Sequence, residues 1–255
     1  MRLVVCVKWS GTLGDDVEFV DNDQNVDPDY LDFALNEWDR YAVEEALRLR
    51  EAVAGSEVIA LTVGSKEADS ALVQCLAMGV DQVTRIPLRD SDPHDPVTVG
   101  RLLAAALQPT LPDLVLCGAQ SSDAAHGATG CALAAWLSVP CVTMVSKIDL
   151  ELERNLARVK REIEGGLVDV VEVLLPAVLT IQTGINEPRY VTLRAVQQAR
   201  LRGIKTLEVE ATALNTAAYR VRRMYLPEKA GAERIPGGPK GVAAKIMELV
   251  REAAS

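Results

Sequence analysis

The feature of this sequence that most constrains its fold is a series of short, continuously apolar runs separated by amphipathic segments. Four such runs lie in the first half, each bounded by glycine, proline or aspartate: Arg2–Lys8, Glu57–Val63, Gln82–Pro87 and Asp113–Cys117. Strands that are apolar along their whole length are typical of a parallel sheet covered on both faces. The sequence therefore predicts an α/β fold with a doubly wound, mainly parallel sheet.

Helices are predicted between these strands, because apolar residues recur there at steps of three and four. The first begins after Asn36, a candidate N-cap, and ends at Gly55; the second ends at Gly79 and the third opens at Asp95. The predicted buried stripes are Trp38, Ala42, Ala46, Leu49 and Val53; Ala68, Ala71, Leu72, Cys75 and Leu76; Val99, Leu102, Leu103 and Ala106; and Ala132, Ala135 and Trp136. Ligands of such sheets bind beyond the carboxyl ends of the strands, so the loops after Val7, Val63 and Cys117 are the candidate sites.

The second half has a different pattern, with consecutive strand-like runs and a turn at 164–166. The runs are Cys141–Ile148, Leu156–Ile163, Asp169–Leu174 and Ala177–Gln182, and we expect them to extend the sheet with antiparallel strands. From Arg189 to Gly238 no core pattern is evident, and a last helix is predicted near the C-terminus. We therefore divide the chain into an α/β domain, 1–188, and a C-terminal arm, 189–255, which should lie on a second chain.

Charge and composition exclude several classes of function. The net charge of −9, from 27 basic and 36 acidic residues, argues against nucleic acid as a partner. No apolar run approaches the roughly 18 residues of a membrane span, so we expect neither membrane insertion nor a secretory signal, and a cytoplasmic location. The five cysteines have no metal-ligand spacing and apolar neighbours, so we expect buried free thiols and no metal site.

The charges are also unevenly distributed. Between Asp15 and Glu51 there are thirteen acidic and three basic residues, whereas between Arg189 and Arg223 there are eight basic and two acidic residues. Opposite charge at the two ends of a chain favours protein partners.

The segment that follows the strand ending at Cys117 is the best candidate site. Its sequence, G-A-Q-S-S-D-A-A-H-G-A-T-G, leads from a strand to a helix, so backbone N–H groups and hydroxyls can converge on an anion. A turn rich in helix caps explains the same pattern equally well. Neither a G-x-G-x-x-G nor a P-loop motif follows a strand, and Ser121, Asp123 and His126 are too close in sequence for a hydrolase triad.

Trp38 has two interpretations. It opens a predicted helix, where an isolated aromatic residue is more often part of the core, but it also lies near the loop after the first strand, where it could face a ligand.

The chain resembles the β subunits of electron transfer flavoproteins over nearly its whole length. The motifs occur in order: LVVCVK at Leu3–Lys8, AVEEALRLRE at Ala42–Glu51, AMGVD at Ala77–Asp81, CGAQSSD at Cys117–Asp123, REIEGGL at Arg161–Leu167 and GINEPRYVTL at Gly184–Leu193. LNEWD at Leu35–Asp39, AQSSD at Ala119–Asp123 and RVRRMYLPEK at Arg220–Lys229 resemble the methylotroph-type subgroup, whose donors are trimethylamine dehydrogenase-like enzymes.

The resemblance implies an adenine-nucleotide alpha-hydrolase-like fold, an FAD shared with an α subunit, and a structural AMP. The implied AMP contacts are Cys6, Asn36, Glu37, Trp38, Asp39, Val63, Gly118, Ala119, Gln120, Ser121, Ser122, Asp123, Ala124, Ala125, His126, Gly127, Ala128 and Thr129. Leu13 and Trp38 would close the β side of the FAD. The chain departs from the commoner pattern at Glu37, Ala119, Ala124, Ala125 and Ala128, which removes polar contacts but leaves a backbone cradle.

The resemblance also implies partners. Tyr190 and Leu193 lie in the family's recognition loop for a flavin dehydrogenase donor, Glu164 would steady the complex against the α subunit, and the arm from Arg194 to Lys240 would wrap that subunit. The implied function is an electron carrier, not an enzyme, that delivers electrons to a quinone-reducing acceptor. The alternatives are a bifurcating relative with a second FAD in place of AMP, a stand-alone adenine-nucleotide-binding protein, and a stress-type nucleotide-binding regulator.

Overall fold

A computed structural model describes residues 1–14, 16–89, 92, 94–209, 217–219, 221–227, 231 and 234–253. In chain order the elements are β1 (Arg2–Cys6), β2 (Trp9–Leu13), β3 (Phe19–Val20), β4 (Asn25–Val26), β5 (Leu31–Leu35), α1 (Glu37–Ala52), β6 (Glu57–Gly64), α2 (Asp69–Met78), β7 (Gln82–Pro87), α3 (Pro96–Leu107), β8 (Leu114–Gly118), α4 (Thr129–Leu137), β9 (Cys141–Glu151), β10 (Leu156–Ile163), β11 (Leu167–Leu174), β12 (Ala177–Ile181), α5 (Leu193–Arg200), β13 (Lys205–Thr206) and α6 (Pro239–Ala253). Among these helices none is long and apolar enough to cross a membrane.

A nine-stranded sheet organises the chain, in the order β11-β10-β9-β12-β8-β1-β6-β7-β13. The strands from β9 through β12 and β8 to β13 are parallel, which confirms the predicted fold class. The expectation that all four later strands extend the sheet in antiparallel fashion is wrong for β12, because it inserts between β8 and β9 and is parallel to both. It is confirmed for β9, β10 and β11, which pair in antiparallel fashion in that order, with the β10–β11 turn at Glu164–Gly166.

Both faces of the sheet are covered. Along β1, Leu3 and Val5 belong to one buried cluster with residues of α1 and α2, while Val4 and Cys6 belong to the other with residues of α3 and α4. This division explains the continuously apolar strands, since neither set of alternate side chains faces water. Gly100 lets α3 and α4 pack closely, because a Cβ atom there would lie 2.8 Å from the Cβ of Ala132.

The stripes predicted for α1 and α2 are largely confirmed, but that for α4 is wrong. The buried side of α4 is formed by Gly130, Leu133 and Ala134, whereas Trp136 is 48% exposed beneath the guanidinium of Arg101. All five cysteines are free thiols, as expected, but Cys131 is exposed and Cys141 is half-buried.

The first part of the predicted arm packs on the chain itself. Helix α5 packs on α2 and buries Ala199, and β13 joins the sheet edge beside β7, so residues 193–209 lie on the chain's own domain. The expectation that the whole arm lies on a second chain is therefore wrong for residues 193–209. By contrast, α6 contains no buried residue and exposes Ile246, Met247, Leu249 and Val250. The division at 188 and 189 stays a prediction.

Candidate functional site

Asp39 joins the ends of two neighbouring strands. Its carboxylate accepts hydrogen bonds from the backbone N–H of Lys8, just beyond β1, at 2.8 Å and from that of Gly118, at the end of β8, at 3.0 Å. The side chain is buried, and this burial raises its pKa to about 7, although the two hydrogen bonds act in the opposite direction. Gly118 has to be glycine here, because a Cβ atom would overlap the Oδ1 atom of Asp39.

Asn36 connects the start of α1 to the loop that follows β8, which we call the 118–129 loop. Its Nδ2 donates to the carbonyl oxygen of Gln120 at 2.8 Å, and its Oδ1 accepts from the N–H of Ser122 at 3.2 Å. Asn36 occupies the N-cap position, as predicted, but its side chain makes no capping hydrogen bond. The side chain is buried, so both of its polar groups are committed to positioning the loop.

A polar cluster holds the middle of the loop against the segment after β1. Lys8 Nζ lies 2.6 Å from Asp123 Oδ1 and 3.5 Å from the Ser121 hydroxyl, and the hydroxyls of Ser10 and Ser122 are 2.9 Å apart. Burial alone would raise the pKa of Asp123, but the ammonium of Lys8 holds it below its ordinary value. Asp123 therefore stays ionised, and it neutralises the cation closest to the loop.

The last part of the loop leaves backbone donors available. The N–H groups of His126, Gly127, Ala128 and Thr129 make no hydrogen bond to another described residue. Gly127 has a φ of +60°, and Ala128 returns to the right-handed region before α4 begins at Thr129. Successive residues of opposite hand form a concave array of N–H groups that suits an anion, and the helix dipole adds positive potential.

Trp38 is neither a core residue nor free in solution. It is half-buried, and its Nε1 donates to Gln182 Oε1 at 3.2 Å, while Gln182 Nε2 reaches Glu162 Oε2 at 3.3 Å. Next to Glu162 is an open cavity of about 500 Å³ lined by Met144, Arg161, Glu162, Ile163 and Glu164. The favoured interpretation of Trp38 as a core residue is therefore wrong, since the half-buried ring belongs to none of the buried clusters of the described residues and is hydrogen-bonded to Gln182.

The structure brings most of the predicted nucleotide residues together. Asn36, Trp38 and Asp39 contact the loop or lie beside it, and Cys6 and Val63 lie near the carboxyl ends of β1 and β6. The exposed members are Glu37, Gln120, Ser122, Asp123, Ala124, Ala125, His126 and Gly127, and Ala119 is buried.

The other predicted residues lie apart from this group. Leu13 is 56% exposed at the end of β2 that is away from Trp9, where β2 pairs with β5. Four residue steps, or about 13 Å along the strand, separate Leu13 from Trp9. Tyr190 and Leu193 are 88% and 81% exposed, and Glu164 is exposed in the β10–β11 turn.

Sequence reasoning missed Lys8, Ser10, Gln182 and Tyr219. Lys8 and Ser10 lie just after Val7, in the stretch that the strand pattern had marked as a candidate loop, although Ser10 belongs to β2. No local signal points to Gln182 or Tyr219. The hydroxyl of Tyr219 lies 2.9 Å from His126 Nε2, so the arm contacts the loop. This contact and the Lys8–Asp123 pair also exclude a triad among the loop residues, because His126 and Asp123 have other partners.

The family model described as "Electron transfer flavoprotein domain" matches residues 25–212. The chain is 37% identical to the electron transfer flavoprotein subunit beta of Methylophilus methylotrophus, over 99% of this chain and 98% of that protein. This chain belongs to the electron transfer flavoprotein β-subunit family. It is 30% identical to the Bacillus subtilis β subunit over 100% of its length and 99% of that protein. It is also 32% identical to a subunit of the caffeyl-CoA reductase–Etf complex of Acetobacterium woodii, over 99% of this chain and 98% of that subunit.

Family membership settles the class of function. As a β subunit of an electron transfer flavoprotein, the chain is an electron carrier rather than a catalytic enzyme, and it pairs with an α subunit. Neither a stand-alone nucleotide-binding enzyme nor a stress-type regulator is retained. Among the described residues, no group of three or more His, Cys, Asp or Glu side chains is placed to hold a metal ion.

Proposed function

We propose that this β subunit works with its α subunit in the cytoplasm to carry electrons from a flavin dehydrogenase to a quinone-reducing acceptor, and that the 118–129 loop binds AMP. One observation carries the proposal. Side chains from the start of α1 hold the first half of the loop, while the backbone N–H groups of 126–129 remain available beside the start of α4.

The residues present fit one phosphate group. The donors are backbone N–H groups and the Thr129 hydroxyl. Residues 118–129 include no Lys or Arg, and the nearby Lys8 is already neutralised by Asp123. A monophosphate matches this modest supply of positive charge better than a longer phosphate chain. The alanines at 124, 125 and 128 do not weaken the cradle, because its donors are main-chain groups.

When bound, FAD supplies the redox chemistry, and this chain supplies side chains that line one side of the flavin. Trp38 presents an indole ring held by Gln182, and an apolar or aromatic wall excludes water and tunes a flavin's potential without itself being oxidised. We propose Trp38 and Leu13 as the β-side contacts, and Glu164, beside the cavity at Arg161, as a contact with the α subunit.

Exposed apolar side chains indicate two surfaces for partner proteins. Tyr190 and Leu193 are large apolar side chains almost fully in solvent, and we propose that they dock on a trimethylamine dehydrogenase-like donor. Helix α6 exposes an apolar face and buries nothing, which favours the α subunit as the surface that the distal arm covers.

A second candidate is a bifurcating carrier with a second FAD at the 118–129 loop, and the full-length similarity to the Acetobacterium woodii complex subunit supports it. The two are distinguished by co-expressing the chain with its α subunit and counting the nucleotides released per heterodimer. One FAD and one AMP would support the AMP proposal, and two FAD would support bifurcation. A heterodimer without flavin would overturn both.

A further inference from the structure

Two adjacent glutamates on α1 are buried in the middle of a helix, which is an unusual place for carboxylates. Glu44 is 5% exposed and Glu45 is 8% exposed. Fully buried acidic side chains occur almost only where they are paired. Both are paired here with the same distant segment, 186–189, about 145 residues further along the chain.

Arg189 donates three hydrogen bonds to the carboxylate of Glu44. Its backbone N–H and its Nε donate to Oε2 at 3.0 and 2.7 Å, and its Nη2 donates to Oε1 at 3.0 Å. A further bond runs from Nη1 to Glu51 Oε1 at 3.1 Å. Burial alone would raise the pKa of Glu44, but Arg189 holds it below its ordinary value, so the pair stays charged.

Asn186 forms the second attachment. Its Nδ2 donates to the carbonyl oxygen of Tyr41 at 3.1 Å and to Glu45 Oε2 at 2.9 Å. We call the four residues Glu44, Glu45, Asn186 and Arg189 the clasp. It fixes the segment at two points three residues apart, with a proline between them.

The chain is fixed again a few residues later. Thr192 caps α5, accepting from the N–H of Ala195 at 3.2 Å, and Ala199 is buried against α2. Arg202 Nη2 then donates to the carbonyl oxygen of Asp81 at 2.6 Å. Tyr190 and Leu193, the proposed docking residues, therefore lie on a short stretch held at both ends.

We propose that the clasp is a positioning device for electron acceptance: Glu44 and Arg189 hold the 190–193 stretch in the one geometry that a dehydrogenase can bind. Stability alone is a weak reason for such a pair, because the Arg189 side chain is half-buried and even a fully buried ion pair can often be replaced by apolar residues without loss. A bidentate guanidinium–carboxylate pair adds a defined geometry that an apolar contact does not. This inference rests on the proposed docking role of Tyr190 and Leu193.

The test uses the heterodimer loaded with FAD and compares Arg189→Gln and Glu44→Gln with wild type. We expect amide hydrogen exchange to speed up at least about tenfold at the N–H groups of residue 189 and Ala195, which are the amides of this stretch that donate hydrogen bonds to described residues. If only about a tenth of the molecules then hold the docking geometry, KM for the carrier rises about tenfold while kcat at saturation is unchanged. The donor is trimethylamine dehydrogenase reduced with its amine substrate. The double variant should be no worse than either single variant, and Arg189→Lys should recover part of the loss.

The matched control is Arg85→Gln. Arg85 forms a half-buried pair with Asp69 at 2.7 Å, reaches the Gly64 carbonyl oxygen at 3.4 Å, and makes no hydrogen bond to the clasp or to the 118–129 loop. It should lose similar stability without a change in KM or in exchange at 189–195. An equal effect of Arg85→Gln on KM would show that the clasp acts only through stability and would overturn the proposal.

The remaining outcomes separate this proposal from the proposed function. Unchanged exchange in Arg189→Gln overturns the clasp whatever the donor does. If Leu193→Ala raises KM and Arg189→Gln does not, the clasp fails and the docking role stands. If neither variant changes KM, the docking role itself fails, and the clasp fails with it as a positioning device. A wild-type complex that the dehydrogenase cannot reduce refutes the proposed donor, while hydrogen exchange still decides whether the pair orders the segment.

Discussion

Asn36→Ala removes the two hydrogen bonds that the Asn36 side chain makes to the 118–129 loop and leaves the one between Asp39 and Gly118. The bonds span 2.8 and 3.2 Å, and the side chain is buried, so the Gln120 carbonyl and the Ser122 N–H lose partners that water cannot easily replace. A hydrogen bond of this kind contributes about 0.5–1.5 kcal/mol, so the loop should be less favoured by about 1–3 kcal/mol.

If this cost is transferred to nucleotide binding, the affinity for AMP falls about 5- to 150-fold. The assay is equilibrium dialysis of the purified heterodimer against increasing AMP, followed by chromatographic counting of bound AMP and FAD. We expect weaker AMP binding with FAD content close to wild type, because the change is confined to the loop.

Asn155→Ala is the control. Asn155 Nδ2 also donates to a backbone carbonyl, that of Leu175, at 2.9 Å, and its φ of +51° adds strain for alanine. The control should therefore lose at least as much stability at a remote turn, with unchanged AMP binding. If the two variants bind AMP equally well, Asn36 does not hold a nucleotide loop and the site assignment is wrong.

Three further predictions concern the same site. Trp38→Ala should shift the flavin absorbance or potential, and an unperturbed spectrum and potential would exclude contact with the flavin. Asp39→Asn should change how the free energy of unfolding depends on pH. Because burial raises the pKa of Asp39 from 3.8 to about 7, the wild type should lose up to about 4 kcal/mol relative to the variant as pH rises from 4 to 8. A difference in the free energy of urea unfolding that stays constant over this pH range would contradict the prediction. Gly118→Ala should destabilise the fold strongly, because a Cβ atom there lies 2.7 Å from the Cβ of Trp38. The control, Gly55→Ala, is strained by a φ of +76° but lies in open space, so it should cost only about 1–2 kcal/mol. Equal melting temperatures of the two variants would refute the close approach at Gly118.

Local patterns predicted the layers of the fold well. Continuous apolar strands and residues repeating at steps of three and four reflect which sides of an element face a core, and β1, α1 and α2 follow them closely. The loop after β8 was also found, because a strand followed by small polar residues and a helix start is a local signal. The α4 stripe was wrong because nearly every residue of that helix is apolar or small, so the sequence contains no contrast between its two sides.

The position of β12 and the conformation of the arm could not be predicted in this way. Strand β12 pairs with β8, more than sixty positions earlier, and no local pattern specifies that partner. Residues 193–209 mix apolar and basic side chains without a clear core pattern, yet α5 buries Ala199 on a surface that α2 provides.

The sequence by itself determined the α/β class, the strands and helices that alternate along its first half, and the loop at which a nucleotide is expected. The tertiary structure decided which polar groups act together: Asn36 with Ser122, Asp39 with Gly118, and Glu44 with Arg189. The physical reason is that apolar periodicity is a property of each element alone. A buried polar side chain, in contrast, takes whichever partner the folded chain brings within hydrogen-bonding distance, and here those partners are 79 to 145 residues away.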